Sequence, residues 1–143
     1  MTTDVCLEVY SENAGLLNTE VTLYLAARVV KGRVISQSEF FNQCIETLPE
    51  DEAASSEGQR DLLMRWREQY TMYERRRSDD IYSIGESISQ GDEEKAEELR
   101  RRHQPAEFIH LSDVEVIERG EVETVQKPLR VKLENVESWA LGR

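Results

Sequence analysis

The sequence has few of the residues from which catalytic and metal sites are usually built. Its 143 residues include only two cysteines and two histidines. It contains no Cys-x-x-Cys, Gly-x-Gly-x-x-Gly, phosphate-loop, Gly-x-Ser-x-Gly or His-Glu-x-x-His pattern. Cys6 and Cys44 are far apart, which favours two reduced thiols in or near the core over a disulfide or a metal pair. The composition therefore argues against an enzyme and predicts no cofactor.

Positive charge and long apolar runs are also scarce. Lys and Arg number 18 against 29 Asp and Glu, so the net charge is -11. Phosphate groups are bound by clustered cations, whereas this chain has an excess of negative charge. The charge therefore argues against a nucleic-acid partner or an anionic membrane surface. No apolar run reaches the roughly 18 residues of a membrane helix, and the N-terminus lacks the basic segment of a signal peptide. We expect a cytoplasmic protein whose self-repulsion makes any clustering depend on salt and pH.

The remaining candidates for chemistry are weak. The acidic runs at residues 50–52 and 92–94 lack the ligand order and glycine of a calcium loop, so we expect solvated faces. His110 lies in a predicted strand with no partner at metal-ligand spacing, and we expect a hydrogen-bonded structural histidine rather than a general base. His103 follows three arginines and is expected to be a cation at a helix C-terminus. A small hydrolase that uses His110 is therefore less favoured than an interaction protein or a small adaptor.

Alternating apolar residues predict strands in the N-terminal region. Residues 5–9 and 21–30 show the period of two that is typical of a half-buried strand. Lys31 and Gly32 are interpreted as a hairpin turn, because glycine accepts a positive φ at no steric cost. The return strand is expected over residues 33–35.

A helix is predicted directly after that strand. Ser36 and Glu39 have the spacing of a capping box, in which Ser36 caps the helix and Glu39 reaches back. Apolar residues then recur at helical spacing, so a helix over residues 37–48 is predicted to pack one face and to end before Pro49. The acidic segment over residues 49–58 is interpreted as a loop.

The middle of the chain predicts a long helical segment over residues 59–103. Gly85 and Gly91 are expected to weaken or break it, and Asp92 to cap a last short helix. An aromatic stripe, widened by Leu62, consists of Leu63, Trp66, Tyr70 and Tyr73. Its spacing is heptad-like. Two interpretations stay open: the stripe packs on the domain's own sheet or short helix, or it is an exposed and self-associating face.

The last third of the chain returns to strands. Strand patterns at residues 108–111 and 114–116 and a turn at residues 119–120 are expected before a polar loop or edge over residues 121–128. Apolar and charged residues then alternate over residues 129–133, and this alternation shifts by one residue at residues 134–135. A bulge or tight turn is therefore expected there, because a slip of one residue sends side chains to the other face. Trp139 is expected to be buried and to close the core.

These elements predict one α+β domain over residues 1–143. Residues 1–49 form N-terminal strands plus a helix, residues 59–103 a helical insertion, and residues 104–143 the C-terminal strands that complete the sheet. We expect a small bent antiparallel sheet or partly open barrel. One short packing helix follows the second hairpin strand, and the long helical insertion precedes the final strands.

Three stretches of this framework occur in a characteristic order. They are Val-Val-Lys-Gly-Arg-Val-Ile-Ser at residues 29–36, Phe-Ile-His-Leu at residues 108–111 and Val-Glu-Ser-Trp-Ala-Leu-Gly at residues 136–142. In order and placement they resemble the accessory protein U (GvpU) family of gas vesicles. The residues that match its structural motifs are Gly32, Ser36, Glu39, Trp139 and Gly142. The resemblance does not extend to the helical segment.

The resemblance implies a small, non-enzymatic, cytoplasmic accessory protein that associates with gas vesicles. That family is linked to vesicle clustering through its own assembly. The implied partners are the vesicle shell or other accessory proteins and further copies of the chain, with no nucleic acid and no membrane insertion. Our hypothesis is a self-associating protein that influences vesicle assembly or clustering. The alternative is a small acidic adaptor or chaperone that binds one protein partner through its helical segment. No catalytic, cofactor-binding or metal residues carry over.

Overall fold

The computed structural model describes residues 7, 11, 18–48, 53–103 and 106–142, with backbone alone for residues 53–57 and 78. This part of the chain is α+β, with an antiparallel sheet that is not closed, as the sequence predicts. Its helices are α1 (Gln37–Glu46), α2 (Ala53–Ser89) and α3 (Glu93–Arg102). Its strands are β1 (Glu20–Tyr24), β2 (Val29–Ile35), β3 (Phe108–Glu118), β4 (Glu121–Val125), β5 (Leu129–Lys132) and β6 (Ser138–Leu141).

The sheet has the strand order β4-β3-β2-β1-β6, and β5 pairs with β3. The long strand β3 pairs with β4 along its second half and with β5 along its first half. Asp113, with a φ of 53°, lies between these two pairings. A turn of 3-10 helix at Leu133–Asn135 then leads the chain from β5 to β6, which pairs with β1. The tight turn expected at residues 134–135 is confirmed, and it lets the final strands reach two separate strands of one bent sheet.

The turn between β1 and β2 lies at residues 25–28, where the Leu25 N–H donates to the Arg28 carbonyl at 2.9 Å. The hairpin turn predicted at residues 31–32 is therefore wrong. Gly32 lies inside β2, at a register shift between β2 and β3. A Cβ at Gly32 would lie 3.1 Å from Cβ of Leu111. A strand glycine commonly marks such a close backbone approach, so Gly32 serves strand packing and not a turn.

The core is built from buried side chains of β1, β2, β3 and β5, together with Leu7, Ala106 and Leu133. Its buried members are Leu7, Val21, Leu23, Val30, Val34, Ala106, Ile109, Leu111, Val114, Val131 and Leu133. Of the strand expected at residues 5–9, only Leu7 is described, and it is helical, so the prediction is wrong at this residue. Trp139 is only partly buried and packs against the core, because β6 is an edge strand with one described neighbour. The expected full burial of Trp139 is therefore corrected.

Side-chain caps set the first residues of α1 and α3. The Ser36 Oγ accepts a hydrogen bond from the Glu39 N–H at 3.1 Å, which confirms the predicted cap. The Glu39 carboxylate accepts from Gln43 Nε2 at 3.2 Å, one turn further along α1. Asp92 caps α3 by accepting from the Lys95 N–H at 3.1 Å, again as predicted.

The helix α2 differs from its prediction in length and continuity. It begins at Ala53, so it includes the second half of the segment interpreted as a loop over residues 49–58. It passes through Gly85 without interruption and ends before Gly91, whose φ is 75°. One glycine costs a helix only about 1 kcal/mol relative to alanine, too little to break 37 residues of helix that pack against other elements. In the described part of the chain, no helix combines the length and apolar character needed to cross a membrane.

Candidate interaction surface on the long helix

The helix α1 lies between the sheet and α2. On the sheet side, the Phe40 ring lies 4.8 Å from the His110 ring, and Ser112 Oγ donates to Gln43 Oε1 at 3.0 Å. On the other side α1 packs against α2. At 1.5 Å per residue, α1 is about 15 Å long and α2 about 55 Å. The helix α1 therefore covers only a part of α2.

Polar contacts orient α2 on α1. The Glu74 carboxylate accepts from the Gln37 N–H at 2.6 Å and from Ser38 Oγ at 3.1 Å. Since Gln37 is the first residue of α1, this carboxylate satisfies a free N–H at the positive end of the helix dipole. One turn further along α1, Asn42 Oδ1 accepts a hydrogen bond from Arg67 of α2 at 2.6 Å. These bonds determine which side of α2 faces the domain.

The four residues of the predicted stripe divide into two pairs. Tyr70 stacks on Phe41 of α1, with ring centroids 5.4 Å apart and an interplanar angle of 7°. Leu63 is half-buried like Tyr70. Trp66 and Tyr73 are 41% and 38% exposed. The stripe is therefore partly an internal α1–α2 contact and partly a solvent-facing surface.

Leu62 belongs with the exposed pair. It is 46% exposed and lies within about 40° of Trp66 and Tyr73 around the helix axis. We call Leu62, Trp66 and Tyr73 the apolar stripe of α2. Met64, Met72 and Tyr82 are also exposed, but they lie elsewhere around the helix. The spacing of four between Leu62 and Trp66 is the sequence signal that assigns Leu62 to this stripe.

A cleft of about 450 Å³ lies between the middle of α2 and the first residues of β3. It is lined by Gln37, Tyr70, Tyr73, Arg77, Ala106, Glu107, Phe108, His110 and Arg130. The Arg130 guanidinium carbon lies 3.9 Å from the centroid of the Phe108 ring and 5.5 Å from that of Tyr70. Arg77 donates to Gln37 Oε1 at 3.2 Å. The cleft thus combines two cations with aromatic walls, an arrangement that the sequence does not predict, because its residues come from α1, α2, β3 and β5 and from the segment before β3.

His110 is 5% exposed, and its Nε2 atom has no hydrogen-bond partner. The expectation of a hydrogen-bonded ring is therefore wrong for this nitrogen. Burial lowers the pKa of His110 to about 3, with help from the positive charges of Arg130 and Arg77. The ring is neutral at physiological pH and has a pKa far from that of an efficient general base.

The other candidate residues take structural positions. His103 ends α3, and its Nδ1 lies 3.8 Å from Oδ2 of Asp80 on α2. Burial raises the pKa of the half-buried Cys44 thiol, although the Lys127 cation opposes the shift. Within the described ranges, no three His, Cys, Asp or Glu residues come together as a metal site. Cys6 and the acidic run at residues 50–52 lie outside those ranges.

The sequence of this chain matches a known protein family over nearly its whole length. A family model described as "Gas vesicle protein GvpU-like" matches residues 4–143. The chain belongs to the GvpU-like family. The match includes the helices α1, α2 and α3 as well as the three stretches of sheet framework. No curated protein and no solved structure matches the chain.

In this GvpU-like chain, the motif residues hold the framework together. Ile109 and Leu111 of the Phe-Ile-His-Leu stretch are both fully buried in the core. Gly142 has a φ of 85°, and its N–H donates to the Glu20 carbonyl at 2.7 Å. Its own carbonyl accepts from Thr22 Oγ1 at 2.8 Å. Gly142 thereby attaches the end of β6 to β1 in a conformation that favours glycine.

Proposed function

We propose that this protein is a non-enzymatic accessory protein of gas vesicles that self-associates and influences vesicle assembly or clustering in the cytoplasm. Family membership supports the gas vesicle role. The observation that carries the self-association is the exposed apolar stripe of α2, formed by Leu62, Trp66 and Tyr73. Its partners are further copies of this chain and vesicle shell or accessory proteins.

The stripe has the composition of an interface. Trp and Tyr bury large areas and are enriched among the residues that dominate binding energy. Trp66 is held in place on one side, because its ring lies 6.4 Å from the buried Phe41 ring, while 41% of the residue stays exposed. A partly held aromatic loses less side-chain entropy on binding than a free one. The length of α2 beyond α1 gives a second helix room to pack along it.

The net charge of -11 favours a second candidate, an acidic adaptor that binds one less acidic protein through the same stripe. Two copies of the chain repel each other at long range, whereas a neutral or basic partner does not meet that repulsion. Self-association by the pure protein separates the two candidates.

The test uses two glutamate substitutions, Leu62→Glu and Met64→Glu. The two side chains are 46% and 39% exposed, but Met64 lies about 160° from Trp66 around the helix. Both variants add the same charge, so they differ only in position. We expect concentration-dependent oligomers of the wild type in sedimentation velocity, unchanged oligomers for Met64→Glu, and at least about tenfold weaker association for Leu62→Glu. Circular dichroism checks that both variants stay folded.

A vesicle assay links the stripe to function. Purified gas vesicles are mixed with each protein, floated and examined by light scattering. The wild type and Met64→Glu should rise with the vesicles and cluster them, whereas Leu62→Glu should cluster them much less. A wild type that stays monomeric but floats in a Leu62-dependent way indicates the adaptor. A wild type that neither associates nor floats contradicts both candidates.

A further inference from the structure

The cleft beside the stripe contains two cations whose direct bonding and stacking partners are uncharged, although the exposed Glu107 carboxylate also lines the cleft. Arg77 donates to the neutral amide oxygen of Gln37. Arg130 lies over the rings of Phe108 and Tyr70. Within residues 18–48, 53–103 and 106–142, neither guanidinium forms an ion pair with a carboxylate. In a chain with a net charge of -11, two unpaired cations in one cleft are an anion-binding feature.

The polar atoms at the base of the cleft are also unsatisfied. His110 and Arg130 are directly opposite each other on β3 and β5, so their side chains are neighbours on one face of the sheet. Nε2 of His110 and Nε of Arg130 are both buried, and neither has a hydrogen-bond partner. His110 as a whole is 5% exposed. Buried polar groups are nearly always paired, so two neighbouring nitrogens without a partner in the described residues leave the base of the cleft polar and unsatisfied, which favours a polar ligand group close to them.

Aromatic stacking prepares the Arg130 guanidinium for such a ligand. The Phe108 ring occupies the face of the guanidinium at 3.9 Å. Ring contact at the face leaves the N–H groups, which lie in the guanidinium plane, for an acceptor. A planar carboxylate accepts two parallel bonds from such a fork.

We propose that this cleft binds a carboxylate attached to an apolar body, with the carboxylate between Arg77 and Arg130. The aromatic rings of Tyr73 and Phe108 supply walls for the apolar body. The cleft volume of about 450 Å³ is within the range of small-molecule binding sites and can hold a carboxylate with one attached aromatic ring. Phosphate suits the cleft less, because the N–H at the start of α1, a usual phosphate donor, is already bonded to Glu74. The cleft shares Tyr73 with the apolar stripe of α2, but its test measures the binding of small acids and not self-association.

Two sources can provide such a carboxylate: a free aromatic acid, or the C-terminus of a polypeptide that ends in an apolar residue. The probes are benzoate and N-acetylphenylalanine, with benzamide and N-acetylphenylalaninamide as their neutral counterparts and inorganic phosphate as the competing anion. Isothermal titration calorimetry measures each affinity. Saturable binding of both acids supports the site, and the tighter of the two indicates the natural source.

Charge-matched variants locate the binding. Arg77→Gln should weaken benzoate binding at least about tenfold, because it removes one of the two cations. Arg75→Gln removes the same charge from an exposed position about 160° away around α2 and should leave the affinity unchanged. Glu107→Gln should tighten binding severalfold, because the exposed Glu107 carboxylate lines the same cleft and competes for the cations. Circular dichroism confirms that each variant is folded.

A spectroscopic signal reports on the base of the cleft. Benzoate should shift the ring ¹⁵N resonances of His110 in the wild type and leave them unchanged in Arg77→Gln at the same concentration. The proposal is overturned if neither acid binds the wild type or if benzamide or phosphate binds as tightly as benzoate. An equal loss of affinity in Arg75→Gln and Arg77→Gln would also overturn it, since that result shows a general charge effect.

Discussion

Tyr70 of α2 stacks on Phe41 of α1 with an interplanar angle of 7° and a centroid distance of 5.4 Å. Phe41 is 2% exposed, so this pair forms the apolar centre of the helix–helix contact. Tyr70 therefore contributes to the fold, whereas Trp66 and Tyr73 beside it offer exposed surface. Packing against α1 and exposure to solvent are thus divided between aromatic residues on neighbouring turns of one helix.

The stacked pair leads to a stability prediction. Phe41→Ala should lower the free energy of unfolding by about 3–5 kcal/mol, because it removes a fully buried aromatic ring. Tyr70→Ala should cost less, since Tyr70 is only half-buried. Urea denaturation followed by circular dichroism measures both values. A loss below about 1 kcal/mol for Phe41→Ala would contradict the close α1–α2 packing.

The close approach at Gly32 leads to a second prediction. Gly32→Ala should lower the free energy of unfolding by about 1–3 kcal/mol, because the new Cβ would lie 3.1 Å from Cβ of Leu111 and 3.2 Å from the Ser112 carbonyl oxygen. Gly85→Ala is the matched control in open space on α2. It should raise stability by up to about 1 kcal/mol, the difference in helix propensity. Thermal unfolding of the two variants should thus move in opposite directions.

The buried His110 leads to a prediction about pH. Its pKa falls from the ordinary 6.5 to about 3 in the folded chain, so below pH 6.5 the unfolded chain takes up the proton first. The contribution of neutral His110 to stability is fully present above pH 6.5 and is lost as the pH falls towards 3. The wild type should therefore lose about 1.4 kcal/mol per pH unit relative to His110→Phe over that range, or about 2 kcal/mol at pH 5.

Urea titrations of both proteins between pH 7 and pH 5 measure this difference. Comparing slopes removes the pH dependence of the other acidic residues, which both proteins share. It also removes any constant cost of fitting phenylalanine beside Phe40. Parallel curves for the two proteins would show that His110 titrates normally in the folded chain.

The charge of the chain leads to a prediction about salt. If the apolar stripe of α2 drives self-association, then raising NaCl from about 10 mM to about 150 mM should strengthen it, because the screening length falls from about 30 Å to about 8 Å. The screened repulsion is that of a chain with a net charge of -11. Dynamic light scattering measures particle size across the series, with Leu62→Glu as the non-associating control. Weaker association at higher salt would instead indicate attraction between opposite charges.

Features set by neighbouring residues could be predicted from the sequence. The caps at Ser36 and Asp92 depend on one side chain and an N–H three residues later, so their spacing is visible along the chain. The turn at Arg119 and Gly120 is equally local, and both residues have the positive φ of a primed hairpin turn. The α+β class follows from the order of such elements.

Features that depend on distant contacts required the tertiary structure. Gly32 has the same glycine signal whether it makes a turn or lets two strands approach, and only the position of Leu111 on β3 distinguishes the two. The cleft joins Arg77 of α2 to Arg130 of β5, residues that no sequence spacing brings together. The sequence alone determined the order of the elements from β1 onward, the caps of α1 and α3 and the aromatic residues of α2. Tertiary packing decided which of those aromatic rings face solvent, because α1 covers the side of α2 that carries Tyr70 and leaves the side that carries Trp66 and Tyr73 partly open.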